Sequence, residues 1–280
     1  MMGTRGIWWS LVRRPHLESR ELSHLNKIRK TFSEQAKGLG NTSLTLAREG
    51  YLKWMIELLP IAPHYEVLDV AAGAGHLSRA IAPLVKKVTA IDVTPEMLAE
   101  GNKEARKAVI QNIVFKVGNA ESLPFEGDAF DLVVSRFAIH HFTEPSRPLA
   151  EMARVCKPSG FVGIIDMVAP QDTEMAQKYN YWEQVRDPSH TLALSPEAFA
   201  GLISGAGLAQ ARCDSREIEI DVDRWINLTK PGEKAIKEIR EAIEQDIAGK
   251  GPTGLRPFVQ DDDFKFWQTW MIVVGKKEHS

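Results

Sequence analysis

The feature that most constrains the fold is a short apolar run that ends in a glycine-containing turn. Residues 66–70 (Glu-Val-Leu-Asp-Val) have the composition of a buried strand, and Gly73 and Gly75 follow closely. Because glycine has no Cβ atom, such a turn can adopt positive φ and let a ligand approach the backbone. Residues 76–85 then have a helical pattern, so this part of the chain predicts a strand–turn–helix unit.

Strands and helices alternate along the chain after this turn. Further strands are predicted over 87–91, 112–117, 130–135 and 161–166, and helices over 95–108 and 148–155. The run at 130–135 is apolar almost throughout, as expected for a strand that is buried on both faces of a parallel sheet. This alternation predicts an α/β fold with a doubly wound, mostly parallel sheet of the Rossmann-like type.

The C-terminal part predicts two more strands, over 218–221 and 264–274, which gives seven strands in total. A helix should begin at 195–197, where Ser-Pro-Glu forms a start signal. Four isoleucines recur at helical spacing at positions 236, 239, 243 and 247. We therefore expect helical cap insertions at about 167–195 and 222–262.

Length and composition favour one domain with insertions, because 280 residues are many for one minimal domain and few for two. The formal net charge of -2 provides no long-range attraction to nucleic acid or anionic lipid, so neither partner is predicted. No apolar run reaches the ~20 residues of a membrane span. The two cysteines, Cys156 and Cys213, have no metal-ligand spacing, and we predict no metal site.

The N-terminus is predicted to be a flexible tail over residues 1–26, ahead of a single domain over 27–280. Residues 1–17 contain Arg5, Arg13 and Arg14 and no acidic residue, as organelle transit peptides do. The same composition also fits a frayed tail or a wrongly chosen start codon. The expected location is cytoplasmic, with a targeting segment as the alternative.

The second predicted strand is followed at once by Asp92, whose carboxylate can accept hydrogen bonds from both hydroxyls of a ribose. A glycine turn alone is a weak signal, but a turn followed by this acid indicates a nucleotide-like cofactor. A nicotinamide-dependent oxidoreductase is the main alternative. Its fingerprint requires a third glycine where this chain has Ser78, and no Tyr-x-x-x-Lys dyad follows.

Four motifs in this order resemble the class I S-adenosylmethionine (AdoMet)-dependent methyltransferases, specifically the small-molecule branch that includes quinone-biosynthesis C-methyltransferases. The motifs are VLDVAAGAGHLS, AIDVTPEMLAEGNKEA, NAESLPFEGDAFDLVVSRFAIHHF and LAEMARVCKPSGFVGIID. The strand with Trp267 and Trp270 resembles the antiparallel last strand of that family, and the resemblance covers roughly 27–275. It implies AdoMet as cofactor and a small organic methyl acceptor, reacting at oxygen or carbon. A protein that binds AdoMet without catalysis has the same motifs and remains an alternative; the oligomeric state is not predicted.

The resemblance implies a set of cofactor contacts. They are Asp69, Ala71, Gly73, Gly75, Asp92, Val93, Met97, Asn119, Ala120 and Arg136. Asp69 would bind the methionyl ammonium, Gly73 and Gly75 would line the methionine, and Asp92 would hold the ribose. Ala71 departs from the usual glycine but is small enough to keep the backbone accessible.

The adenine end of the cofactor would lie between Val93 and Met97, although Met97 fits an ordinary core position equally well. Asn119 and Ala120 would contact the edge of the base. Asn119 stands where the family has aspartate. Its carbonyl can still accept from the adenine amine, but its amide can also donate.

Methyl transfer needs mainly positioning and desolvation, with a base only where the nucleophile must lose a proton. His141, beside His140, is one candidate base, although the resemblance implies a structural or cofactor-shell role for this pair equally well. In the 167–195 insertion, Asp187 could orient His190 as a second candidate base. The alternative is that these two residues only hold a loop together.

Two further segments are expected near the substrate. In the insertion, Tyr179, Tyr181 and Trp182 suit an apolar acceptor, and Arg186 could bind an acid group. Residues 31–36 resemble the lid helix that closes over AdoMet in this family, and a surface helix docked through Phe32 is the alternative.

Overall fold

The computed structural model describes residues 15–36 and 49–279. The α-helices are α1 (Pro15–Ala36), α2 (Glu49–Leu58), α3 (His76–Ile81), α4 (Pro95–Lys107), α5 (Ser146–Val155), α6 (Thr173–Arg186), α7 (Pro196–Gly205), α8 (Val222–Thr229) and α9 (Glu233–Ile247). The strands are β1 (Glu66–Val70), β2 (Lys87–Asp92), β3 (Ile113–Val117), β4 (Phe130–Arg136), β5 (Cys156–Val168), β6 (Ala209–Asp221), β7 (Pro257–Gln260) and β8 (Asp263–Lys276).

The strands form a single sheet in the order β3-β2-β1-β4-β5-β8-β6. Strands β1 to β5 pair in parallel, whereas β8 is antiparallel to both β5 and β6. This confirms the predicted doubly wound, mostly parallel sheet with an antiparallel strand near the C-terminus. Successive side chains of β4 pack into apolar clusters on opposite faces of the sheet: Leu132 belongs to one cluster and Val133 to the other. Strand β4 is therefore buried on both faces, as expected.

An additional short strand, β7, makes the sheet of the described residues eight-stranded instead of seven-stranded. It forms a hairpin with β8 through Asp261 and Asp262, which both have positive φ values of 51° and 65°. Aspartate tolerates this conformation in a two-residue hairpin turn. The prediction missed the hairpin because the usual glycine is absent from the turn.

Helix α6 lies in the first of the two predicted helical cap insertions, and it begins where Asp172 accepts a hydrogen bond from the Met175 amide. Its buried face is largely polar, formed by Tyr179, Asn180, Glu183 and Arg186. An apolar period was therefore not visible in the sequence. Helix α8 lies in the second predicted helical insertion, in which the isoleucine spacing had located only α9.

The N-terminal prediction also needs correction. Residues 15–26, which we expected to be flexible tail, form the first half of α1. Residues 1–14, which include most of the possible targeting segment, lie outside the described residues. No helix in the described ranges is long and apolar enough to cross a membrane.

Candidate active site

The turn after β1 is held in an unusual backbone conformation. Ala71, Gly73 and Gly75 all have positive φ, of 54°, 54° and 68°. A Cβ atom on Gly73 would meet no atom within 4 Å, so glycine is favoured there by its φ value and not by crowding. Ala71 departs from this preference, because alanine in the left-handed region carries a steric cost.

Asp92 joins the turn to the next strand. Its Oδ2 accepts a hydrogen bond from the Gly73 amide and its Oδ1 accepts one from the Thr94 amide, both at 2.8 Å. The carboxyl group is buried, and burial raises its pKa despite these hydrogen bonds. A carboxylate has about four lone-pair positions, so it can accept further hydrogen bonds from a bound ligand.

A cavity of about 240 Å³ lies beside this turn, at the carboxyl ends of β1, β2 and β4. Most of the predicted cofactor residues border it: Ala71, Gly73, Asp92, Val93, Met97, Asn119, Ala120 and Arg136. His76 and Phe142 also border it, although the sequence did not single them out. The side-chain carbonyl of Asn119 already accepts from the Glu121 amide at 3.0 Å and retains one lone pair.

Asp69 and Gly75 do not border this cavity. Asp69 is buried behind the turn, and its Oδ2 accepts a 2.5 Å hydrogen bond from the Ser78 hydroxyl. Burial raises the pKa of Asp69 to about 6, against the lowering effect of Ser78 and Arg136. Ser78, which had excluded the nicotinamide fingerprint, therefore anchors this carboxyl group, and Gly75 serves as the N-cap of α3.

Helix α1 covers the cavity, which Leu25, Ile28 and Phe32 help to line. Two polar contacts fix the helix near the start of α4: Arg29 Nε donates to the Val93 carbonyl at 3.2 Å, and Ser33 Oγ donates to Glu96 Oε2 at 3.0 Å. The predicted lid segment is thus placed over the cavity.

A second cavity of about 120 Å³ adjoins the first, and Phe32, Phe137 and His141 line both. Its remaining wall comes from parts of the chain that are far apart in sequence. These residues include His140, Met167, Arg186, Asp187, Ile220, Arg224, Trp225, Thr229 and Gln268.

His140 forms a buried pair with Asp166, with 2.6 Å between His140 Nδ1 and Asp166 Oδ1. Burial disfavours the charged ring, but the Asp166 carboxylate outweighs it and raises the pKa of His140. With Nδ1 held by the carboxylate, the ring's lone pair lies on Nε2, which bonds to no described residue. Sequence reasoning missed Asp166, because nothing local marks it as the partner of a histidine in another loop.

His141 has a different environment. Its Nδ1 lies 3.0 Å from the Ser189 carbonyl, so we assign the proton to Nδ1. Burial and the neighbouring His140 lower its pKa to about 4, and the ring is neutral at physiological pH. The edge of the His141 ring contacts Phe32 on α1, with the ring centroids 5.1 Å apart.

The expected Asp187–His190 pair does not form. His190 Nε2 lies 2.8 Å from Asn180 Oδ1, its Nδ1 is buried without a partner, and the residue borders neither cavity. Burial lowers the pKa of His190 strongly. Asp187 instead accepts hydrogen bonds from the amide and hydroxyl of Ser189 and lines the second cavity. Because Pro188 and Ser189 turn the chain directly after Asp187, the two side chains point to different partners.

Of the other substrate residues predicted in the insertion, some line the second cavity and others do not. Arg186 lines the second cavity and is paired with Glu183. Tyr179 is buried and accepts a hydrogen bond from Gln268, whereas Tyr181 is 55% exposed and borders neither cavity. The aromatic wall is supplied instead by Phe137 and Trp225.

Comparison with known proteins identifies the family. A family model described as "Methyltransferase domain" matches residues 68–164. The "Uncharacterized methyltransferase YcgJ" of Bacillus subtilis (strain 168) is 34% identical over 172 residues, which cover 61% of this chain and 68% of that protein. Its crystal structure superimposes with a TM-score of 0.76 at 28% identity, covering 83% of this chain and all of the other.

A second relative is the "Ubiquinone/menaquinone biosynthesis C-methyltransferase UbiE" of Marinomonas sp. (strain MWYL1). It is 34% identical over 120 residues, and this chain spans about half of its length, 48%. The chain therefore belongs to the methyltransferase family and is an AdoMet-dependent methyltransferase, as the motifs predicted. The relatives named here are not nicotinamide enzymes. Arg186, Asp187, Trp225 and Gln268 lie beyond the span that the family model matches.

Proposed function

We propose that the protein transfers the methyl group of AdoMet to an oxygen or carbon atom of a small organic molecule held in the second cavity. The observation that carries this proposal is the pair of adjoining cavities beneath α1, one beside the glycine turn and one of only about 120 Å³. A space of that size suits a small acceptor and not a nucleic acid. The formal net charge of -2 and the two free cysteines support action in the cytoplasm without a nucleic-acid partner.

The first cavity has the chemistry that AdoMet needs. Asp92 offers carboxylate lone pairs to a ribose, while the open backbone at Gly73 accommodates the amino-acid end. Met97 and Ala120 offer apolar contact to the base, with the Asn119 amide at its edge. When bound, AdoMet supplies an electrophilic methyl group on a sulfonium sulfur. Asp69 lies one layer behind and keeps the turn in place through Ser78.

His140 is the base that the geometry favours where the acceptor atom carries a proton. Asp166 fixes the tautomer that leaves the Nε2 lone pair available, and the raised pKa makes it a stronger base. His141, with its lowered pKa, remains neutral and stabilises the wall between the cavities through Ser189 and Phe32. Helix α1 covers part of both cavities through Phe32 and Gln35, which limits the access of water to them.

Calorimetric titration with AdoMet, S-adenosylhomocysteine and NADH tests the cofactor. We expect micromolar binding of the first two and none of NADH. Turnover is then followed as release of S-adenosylhomocysteine with a panel of phenols and carbon acids. Binding of NADH alone contradicts the proposal, and AdoMet binding without turnover on any acceptor indicates a non-catalytic AdoMet-binding protein.

A further inference from the structure

Two buried, oppositely charged side chains in the second cavity have unused hydrogen-bonding atoms. Asp187 is 3% exposed, and its Oδ1 accepts hydrogen bonds from the Ser189 amide at 2.8 Å and from the Ser189 hydroxyl at 2.5 Å. Its other oxygen, Oδ2, accepts from no described residue. Burial acts to raise the pKa of this carboxyl group, but the Arg186 charge and the hydrogen bonds from Ser189 act in the opposite direction, and the pKa is lowered.

Arg186, the preceding residue, is 5% exposed. Its Nε and Nη2 donate to Glu183 Oε2 at 3.1 and 2.8 Å, and its guanidinium lies 5.2 Å from the centroid of the Trp225 ring. Its third nitrogen, Nη1, donates to no described residue. Because Arg186 and Asp187 both border the second cavity, a ligand there can form hydrogen bonds with Nη1 and Oδ2 in place of water.

The buried charges around this cavity disfavour an ionic ligand. Glu183 pairs with Arg186, so this buried cation already has a carboxylate partner, and Asp166 Oδ1 is bound by His140 Nδ1. Arg224 also borders the cavity, but it is exposed to solvent, which screens its charge. Asp187 would repel an anionic group placed at Arg186, and Arg186 would repel a cationic group placed at Asp187. A neutral group that donates to one residue and accepts from the other meets neither penalty.

We propose that the methyl acceptor is a small uncharged molecule with a hydrogen-bond donor next to a hydrogen-bond acceptor, which Asp187 Oδ2 and Arg186 Nη1 bind respectively. A hydroxyl or N–H group adjacent to a carbonyl, on a ring that packs against Phe137 and Trp225, has this chemistry. Asp187 and Arg186 are then specificity-determining residues of the acceptor site. This inference rests on the proposed function and specifies its substrate class.

Ligand-observed NMR on the full chain saturated with S-adenosylhomocysteine tests it with five probes. 2-Pyridone and salicylamide carry the neutral donor–acceptor pair, acetophenone carries only the acceptor, salicylate is anionic and benzylamine is cationic. We expect the protein to bind 2-pyridone and salicylamide in preference to the other three probes. The Asp187→Asn substitution should weaken the binding of these two probes about tenfold. Asp172→Asn, at the exposed start of the same helix, keeps its capping function and leaves every probe unchanged.

The asparagine variant also predicts a reversal of preference. It keeps the Oδ1 carbonyl for Ser189 and converts the open acceptor into a donor, so acetophenone should gain relative to 2-pyridone. Arg186→Lys, which removes the Nη1 donor, should likewise weaken binding of the neutral probes, which keeps a test open if Asp187→Asn is unstable.

Each outcome decides the inference. Preferential binding of salicylate or benzylamine, loss of the neutral probes in Asp172→Asn, or binding of no probe by the loaded wild-type protein overturns it. Binding of the neutral probes to Asp187→Asn as tightly as to the wild-type protein also overturns it. Failure to bind S-adenosylhomocysteine would instead count against the proposed function, and the two failures are therefore distinguishable.

Discussion

Single carboxylates organise the site at the scale of the residue. Asp92 bonds through separate oxygens to the amides of Gly73 and Thr94, so one side chain sets the distance between the glycine turn and the start of α4. Asp166 similarly sets the tautomer of His140. In both cases a buried charge is stabilised by hydrogen bonds that also orient a binding surface.

Replacement of Asp92 by alanine removes both of these hydrogen bonds and the acceptor for the ribose. We expect Asp92→Ala to weaken AdoMet binding by at least about tenfold, a loss of roughly 1.4 kcal/mol, as measured by calorimetric titration. Asp131→Asn, on the opposite end of the sheet, is the control and should bind AdoMet normally. Wild-type affinity in Asp92→Ala would contradict the ribose assignment.

The pKa of His140 should depend on Asp166. Because the carboxylate stabilises the protonated ring, we expect His140 to titrate above 6.5 in the wild-type protein and at lower pH in Asp166→Asn. The titration can be followed from the imidazole proton signals by NMR. An unchanged His140 titration in the variant would show that the pair does not control this histidine.

At the scale of the element, α4 packs against the glycine turn through Gly101. A Cβ atom on Gly101 would lie 2.8 Å from the Ala74 carbonyl oxygen and 2.8 Å from Phe115 Cε1. Close helix packing at the turn is the role of the third glycine in the dinucleotide fingerprint. Here Ser78 holds that position, and Gly101 provides a close approach from a different helix.

Gly101→Ala should therefore be harmful although alanine favours helices. The added methyl group must displace backbone, so we expect a loss of about 1–3 kcal/mol in the free energy of unfolding and weaker AdoMet binding. Gly201→Ala in α7 is a matched control, because its Cβ would meet nothing within 4 Å. That control should gain about 0.5–1 kcal/mol. Equal stability changes in denaturant unfolding of the two variants would refute the packing argument.

At the scale of the whole molecule, apolar clusters cover both faces of the sheet. One contains Val67 and Trp270, and the other contains Leu68 and Phe199. Asp69 directly follows Val67 and Leu68 in β1 and is itself buried, so a charge on its carboxyl group is poorly solvated. The stability of the whole fold should therefore respond to the ionisation of this one residue.

Because burial raises the Asp69 pKa from 3.8 to about 6, the folded state binds this proton more tightly than the unfolded chain. The stability that protonated Asp69 contributes is complete below pH 3.8 and is lost as the pH rises to about 6. The difference corresponds to about 3 kcal/mol at most. We expect the free energy of unfolding of Asp69→Asn to rise relative to wild type across this window, as measured by urea unfolding at each pH. A constant difference from pH 4 to pH 6 would disprove this linkage.

The sequence by itself determined the parallel half of the sheet, the glycine turn and Asp92. These features are local: apolar periodicity and turn chemistry depend on residues within a few positions of one another. The same local logic identified the helix start at Ser195, whose side chain accepts from the Ala198 amide. It gave no bounds for α6 within its predicted insertion, because that helix buries polar side chains that have no apolar period.

Only the tertiary structure decided which polar groups meet around the second cavity. Asp166 is 26 residues from His140, and Ser189 is 48 residues from His141, so neither partnership leaves a local pattern. The tertiary structure also gives His190 a different partner from Asp187, and it places Asp187 and Arg186 together at the border of the cavity. The cofactor site could be predicted because a continuous turn builds it. The acceptor site depends on loops and helices from distant parts of the chain, and only their packing on the sheet brings them together.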